Sequence, residues 1–402
     1  MTIQLSLSWP SRLIAGLRLA PFLIALAGVA DTAIAQAIQT SAPHAILIDS
    51  DTQSVLFEKD ADTPVIPAST VKVMTAEVVF HEIAEGRLKL DDEFLMSETA
   101  WRNGGAPSRG SSMFAPLNSR VRVEDLIRGL VIVSGNDAAI ALAEGVAGSE
   151  GAFATLMMKR GRELGVTHST FTNSWGRGDP EQKVSPRDMT LLANHVIKTY
   201  PDLYKYFGEK EFTWNKIKQS NRNPLLTMDI GADGLKTGNI DASGYGLIGS
   251  AVQNGQRLIL ALYGATSSKE RADEARKIFL WGFRSFDTKT IFQAGETIGS
   301  ARVYGGALWD APLVADSEVR ILLPRSGGEK FTGRIVYNGP LMPPIPAGKE
   351  VARLKVFRGT AQVLDLPLKT AAAVEAGSLP RRAMDAGLEY GAVLFRRYVT
   401  KQ

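Results

Sequence analysis

The segments "ADGLKTGNI" (232–240), "GYGLIGSAVQ" (244–253) and "QRLILALYGA" (256–265) decide the fold. Each is a short run bounded by turn residues and reads as a strand. The last two are joined through Asn254-Gly255 alone, a strong two-residue hairpin signal, so they pair antiparallel. Gly244, Gly246 and Gly249 spell G-x-G-x-x-G, but inside a strand rather than between a strand and a helix, so they serve packing and twist. Upstream, "HAILIDSDTQSVLFEKDADTPV" (44–65) is a second hairpin, and downstream "SSKERADEARKIFLWGFRSF" (267–286) is a helix with a polar first turn. Between the hairpins lie "PASTVKVMTAEVVF" (67–80), apolar on most sides and hence a helix buried all round, and two helices over 122–147 broken at "VSGND" (133–137). A terminal hairpin, a helical middle and three later strands give one antiparallel sheet with helices on a face and an inserted helical lobe, an α+β fold.

The chain's two ends differ from this body. Arg12 and Arg18, the apolar run Leu19 to Ala30 and the small residues of Ala33-Ile34-Ala35 describe a secretory signal peptide over 1–35, with the mature chain starting near Gln36. The body then spans 36–290. Over 291–378, "SEVRILLPR", "GRIVYNGPLMPPIPAGKEVARLKVFRG" and "AQVLDLPLK" alternate apolar and polar residues between Pro/Gly turns, the pattern of a small all-β domain. The tail 379–402 can form an amphipathic helix with Met384, Leu388, Phe395 and Tyr398 on one side and arginines on the other. It reads either as a helix lying on an anionic membrane or as one docked on its own domain.

Composition excludes several classes. With 45% hydrophobic and 22% charged residues the 402-residue chain is neither disordered nor a polytopic membrane protein, and its net charge of +4 is too diffuse to argue for nucleic acid. It has no cysteine, so neither disulfides nor thiolate chemistry is available. The four histidines have no metal-ligand spacing, and "HEIAE" (81–85) fails the H-E-x-x-H requirement, so no metal and no cofactor is expected.

Three short motifs carry chemistry. Ser69 and Lys72 share a helix face one turn apart, and a serine needs a nearby base to become a nucleophile. Lysine can be that base only when burial and a neighbouring positive charge lower its pKa. Ser134-Gly135-Asn136 sits at the break between two helices, where a hydroxyl and an amide can project into a cleft. Lys236-Thr237-Gly238 lies on a strand and offers a second positive charge, a hydroxyl, and a glycine that permits close approach. S-x-x-K alone is expected on the order of once by chance in such a length, but the ordered set is far rarer.

S-x-x-K, S-x-N and K-T-G in this order resemble the penicillin-binding proteins, and class A β-lactamases share the set. The stretches "IPASTVKVMTA", "LIRGLVIVSGNDAAIALAE", "FTWNKIKQSNRNPLL", "DGLKTGNIDASGYGLIGSA" and "LWGFRSF" are similar to the low-molecular-mass serine D-alanyl-D-alanine carboxypeptidases in particular. The likeness runs from about residue 42 to 290 and is weaker beyond. It implies a β-lactamase/DD-peptidase-like fold followed by a small β domain, and a periplasmic enzyme at the outer face of the cytoplasmic membrane. That enzyme removes the terminal D-alanine from peptidoglycan pentapeptide stems and is acylated by β-lactams. A D,D-endopeptidase or β-lactamase on the same scaffold, and a non-catalytic wall-binding or sensing protein, are the rival readings.

The resemblance implies a role for each residue. Ser69 is the nucleophile, Lys72 its base, and Ser134 a proton relay toward the leaving amine. Asn136 holds the substrate amide and fixes Lys72; Lys236 and Thr237 face the substrate carboxylate; backbone N–H groups of Ser69 and Asn239 form the oxyanion hole. Asn239 stands where histidine, threonine or an aromatic is more usual. Arg271 aligns with an arginine that also reads the carboxylate, the alternative being a solvated charge in a helix turn. The Gly/Ser-rich "WRNGGAPSRGSSMF" (101–114) either borders the site and affects deacylation or is a mobile surface loop.

Overall fold

The computed structural model describes residues 2–6, 38–325, 331–358, 361–387 and 390. They form two compact units, one of residues 37–285 and the other containing Thr2–Ser6 and the chain from Phe286 onward.

The first unit is the expected α+β fold. Its five-stranded antiparallel sheet runs, edge to edge, Val55–Lys59, His44–Asp49, Gln256–Ala265, Gly244–Gln253 and Ala232–Ile240. The Asn254-Gly255 turn has φ of +51° and +78°, the left-handed pair that matches the twist of a two-residue hairpin. The inner strands are buried from Leu258 to Tyr263 and from Leu247 to Ala251, so both faces of the sheet are covered. One cover is the Ser268–Ser285 helix, which buries Ala275, Ile278 and Phe279.

Behind the sheet lies the helical lobe. A 3-10 turn over Ala68–Val71 leads into α1 (Lys72–Ala84), whose residues from Lys72 to Phe80 are all buried. The lobe continues with α2 (Val123–Val131), α3 (Asn136–Ala147), α4 (Glu150–Glu163) and α5 (Pro186–Thr199). Between α2 and α3 the chain breaks at Ser134, a non-glycine residue with φ of +63°. Such a conformation is strained and persists only where surrounding packing enforces it.

The second unit is all-β up to its tail. Thr297–Arg302, Asp310–Val314, Ala361–Thr370, Glu350–Arg358 and Phe331–Tyr337 form an antiparallel sheet, with Thr2–Ser6 added at the Phe331–Tyr337 edge. Phe286–Phe292 pairs with Val319–Pro324, so strand structure begins at the junction of the units rather than at 291. Residues 379–387 form a helix. Of the tail residues, Met384 is exposed, while Leu388, Phe395 and Tyr398 lie outside the described residues, as does most of the segment read as a signal peptide. No helix among the described residues is long and apolar enough to cross a membrane.

Candidate active site

Lys72 is the centre of the site. It is fully buried at the start of α1, and its Nζ lies 3.0 Å from Ser69 Oγ, 2.7 Å from Asn136 Oδ1 and 2.6 Å from the Trp175 carbonyl. Burial, then the charge of Lys236, hold its pKa well below the usual lysine value, against an opposing pull from Asp137. A neutral amine has two N–H donors and one lone pair. The two shorter contacts, to Asn136 Oδ1 and the Trp175 carbonyl, are to acceptors only and take the two donors. In that neutral form the lone pair is left for Ser69, the one partner with a proton to give; in the charged form Lys72 donates to all three.

Ser69 occupies the 3-10 turn before α1 and is half-buried, reachable from outside. Its backbone is gripped by two glycines. A Cβ at Gly238 would stand 2.9 Å from Ser69 N and from the Pro67 carbonyl oxygen. A Cβ at Gly176, whose φ is +90°, would stand 2.1 Å from the Ala68 carbonyl oxygen. Both approaches are closer than any side chain allows, which is the physical reason for glycine in K-T-G. Thr70, also in the turn, bonds Tyr263 Oη of the sheet at 3.0 Å, fixing the turn against the strands.

The K-T-G strand brings a second buried lysine. Lys236 is 1% exposed, its Nζ donates to the Thr237 carbonyl at 3.0 Å, and its pKa is pushed down to about 7 by burial and by the cations Arg271 and Arg222. Thr237 is buried, with its Oγ1 3.5 Å from the Arg222 carbonyl. Arg271 is buried too, against the reading of a solvated charge: its Nη2 donates to Ser268 Oγ, its guanidinium lies 5.6 Å from the Tyr245 ring centroid, and its Nε has no partner. Asn239, one residue past Gly238, is exposed and pairs with Tyr245 across the sheet.

The third motif meets α1 through Asn136, while Ser134 is buried but makes no hydrogen bond to Ser69 or Lys72. The 101–114 stretch packs on this motif. It opens in a π-helical turn over Ala100–Gly104, and a Cβ at Gly104 would fall 2.3 Å from Asp137 N. Asn136 N donates to the Ser111 carbonyl. Asp137 accepts from Ser112 Oγ at 2.6 Å and from Met113 N at 3.0 Å, with burial raising its pKa. The loop therefore borders the site, held by the residue after Asn136.

Sequence reasoning missed three groups: the Trp175 carbonyl, Arg222 and Asp137. Asp137 carried a readable signal, an acid in the first turn of a helix. No group of side chains that could hold a metal ion occurs among the described residues.

Comparison with known proteins gives the family. Residues 31–267 match the family model described as D-alanyl-D-alanine carboxypeptidase, and residues 286–376 match the C-terminal domain of penicillin-binding protein 5. The D-alanyl-D-alanine carboxypeptidase DacC of Escherichia coli is 36% identical over 367 residues, 90% of this chain and 92% of that one. Among solved structures, penicillin-binding protein 5 from Haemophilus influenzae superposes with a TM-score of 0.76 at 34% identity, covering 84% of this chain and 98% of its own. The ampicillin-bound penicillin-binding protein D2 of Listeria monocytogenes does so with a TM-score of 0.55 at 26% identity, over 61% of this chain and 98% of its own. A buried Ser-Lys pair on this scaffold, with such relatives along most of its length, makes the chain a member of the serine D-alanyl-D-alanine carboxypeptidase family, of the low-molecular-mass penicillin-binding type.

Proposed function

We propose that Ser69 attacks the carbonyl between the two terminal D-alanines of a peptidoglycan pentapeptide stem, with neutral Lys72 taking its proton. The observation that carries this is the 3.0 Å contact of buried Lys72 Nζ with Ser69 Oγ, beside two acceptors that take both N–H groups of the neutral amine. The tetrahedral oxyanion would be held by the N–H groups of Ser69 and Asn239, each such donor being worth a few kcal/mol in other hydrolases. The proton taken up by Lys72 is relayed through Ser134 to the departing D-alanine nitrogen as the peptide C–N bond breaks, which leaves an acyl-enzyme on Ser69 and returns Lys72 to its neutral form. Water then adds to the ester carbonyl and releases the shortened stem.

Recognition uses the neighbouring charges. Lys236, Thr237 and Arg271 face the free carboxylate, and the Arg271 Nε without a partner is a donor available to it. Asn136 holds the substrate amide with the side of its carboxamide not used by Lys72. A β-lactam carries a strained amide and a carboxylate in a similar relation, so it acylates the same serine.

The location proposed is the periplasm, at the outer face of the cytoplasmic membrane, reached by a signal peptide over 1–35 and held by the basic, apolar tail. Cleavage there removes Thr2–Ser6 and leaves Phe331–Tyr337 as a sheet edge.

The test is covalent labelling. Labelled penicillin should map to a peptide containing Ser69 and be lost in Ser69→Ala; label that persists in that variant overturns the nucleophile. Comparing product release from a pentapeptide, a cross-linked dimer and a penicillin separates carboxypeptidase from endopeptidase and β-lactamase action.

A further inference from the structure

The Trp175 carbonyl that accepts from Lys72 lies in the 172–182 loop, and one side chain organises that loop. Asn173 is buried, and its Oδ1 accepts from three successive main-chain groups: Trp175 N at 3.4 Å, Gly176 N at 2.8 Å and Arg177 N at 3.0 Å. Its Nδ2 donates back to the Arg177 carbonyl at 3.3 Å. A carboxamide satisfies main-chain donors and acceptors together, so this side chain closes the 173–177 turn on itself. The turn cannot change shape without breaking several of these bonds at once.

Further ties fix where the turn stands. Buried Gln182 accepts through Oε1 from Thr172 N at 3.0 Å and from Asn173 N at 2.9 Å, joining the ends of the loop. Ser174, also buried, gives its N–H to Glu150 Oε1 of α4 at 3.2 Å, and its carbonyl accepts from Thr75 Oγ1 of α1 at 2.5 Å. Thr75 and Lys72 are three residues apart on α1 and share a face, and they donate to the successive carbonyls of Ser174 and Trp175. The next residue, Gly176, is the one pressed against the Ala68 and Ser69 backbone.

We propose that Asn173 is a positioning residue for acylation: by gathering the 175–177 amides it holds the Trp175 carbonyl on Lys72 and the Gly176 backbone on the Ser69 turn. Asn173 has no hydrogen bond to Ser69 or Lys72 and acts through the main chain. Reacting groups must be held to within about half an ångström, which a loop achieves only when its own side chains lock it. The loop also helps to enclose the amine. Lys72 faces Lys236 from the K-T-G strand and Asp137 from α3, and burial is the largest cause of its lowered pKa. The inference rests on Lys72 being the base, as proposed above, and adds what aims it.

The test is the rate of acylation by labelled penicillin across pH, in the full chain, with circular dichroism and a melt reporting the fold. Asn173→Ala should slow acylation about 10²-fold. It should also move the acid-side fall of the profile to higher pH. Water admitted beneath a loosened loop relieves the burial of Lys72, so its pKa rises and the neutral amine is lost sooner as pH falls. A loss of stability alone would leave that limb in place. Asn173→Asp keeps an oxygen for the three N–H groups and should be acylated at least about tenfold faster than Asn173→Ala, each at the top of its own profile. Thr75→Val, which removes only the tie to the Ser174 carbonyl, should slow acylation about tenfold and move the limb the same way. It decides the matter if Asn173→Ala does not fold. Acylation within about twofold of wild type in the folded variant, or a slowed rate with an unmoved limb, overturns the inference. So does an Asn173→Asp as slow as Asn173→Ala, since the oxygen is then not what matters. Lys72→Ala in the same assay keeps the two readings apart: acylation near the wild-type rate there removes the base, whereas a slow Lys72→Ala beside an unaffected Asn173→Ala removes only the aiming role.

Discussion

The two units treat buried charge in opposite ways. The first unit encloses Lys72, Lys236, Arg271, Asp137 and Glu77, whereas the only buried polar residues among those described in the second are Thr370 and Asp385. Burying an ion costs several kcal/mol unless it is paired or changes its protonation. Glu77 takes the first route, paired with Arg160 at 2.7 Å, while the two lysines take the second and shift their pKa down. The first unit thus holds groups ready to exchange protons, and the second holds a scaffold.

The strongest way to break this contrast is Lys72→Ala. Loss of the base should slow acylation by labelled penicillin about 10²- to 10⁴-fold, with the circular dichroism spectrum and a cooperative melt retained. Acylation near the wild-type rate would mean that the buried amine is structural. Next comes Gly238→Val, which forces side-chain atoms against the Ser69 backbone; misplacing a reacting atom by an ångström costs about 10²-fold, read as the acylation rate.

A pH profile sharpens the contrast between the two lysines. Lys236 titrates at about 7, so it is cationic below that pH and neutral above it. The efficiency kcat/KM for release of D-alanine should therefore fall as pH rises through about 7, approaching tenfold per pH unit. Lys72 must be neutral to act, so the acid side of the profile falls as its lowered pKa is crossed. Lys236→Arg keeps its charge and should move the alkaline fall upward; an unmoved limb would assign it to another group.

The smallest effect belongs to the second unit. Asp385→Ala removes one carboxylate hydrogen bond to Gly305 N and should cost about 1–3 kcal/mol in a denaturant melt of that unit, leaving Ser69 labelling untouched. Slowed labelling would show that the scaffold reaches the chemistry.

Much of this was legible in the sequence because the determining features are local. Asn254-Gly255 specified its hairpin, the apolar run from Val71 to Phe80 specified a helix buried all round, and the break at Ser134 was visible as a turn between two periodic segments. The spacing of Ser69 and Lys72 was enough to bring them within 3.0 Å. The rest depended on contacts between distant segments. The Trp175 carbonyl is a main-chain group that any residue would supply, so it leaves no mark in the residue code. Arg222 acts on Lys236 through space, from a separate segment of the chain. The 101–114 stretch read as a loop that either borders the site or is mobile at the surface; it borders the site, and its π-helical turn, packed on Asp137, was not legible in its Gly/Ser-rich composition.

The main-chain origin of one Lys72 partner makes the reaction unevenly vulnerable to mutation. A single codon change can delete the Asn136 amide, but none can delete the oxygen at position 175, since every replacement brings its own. Drift at that position should leave the amine aimed, and only a displaced loop could free it.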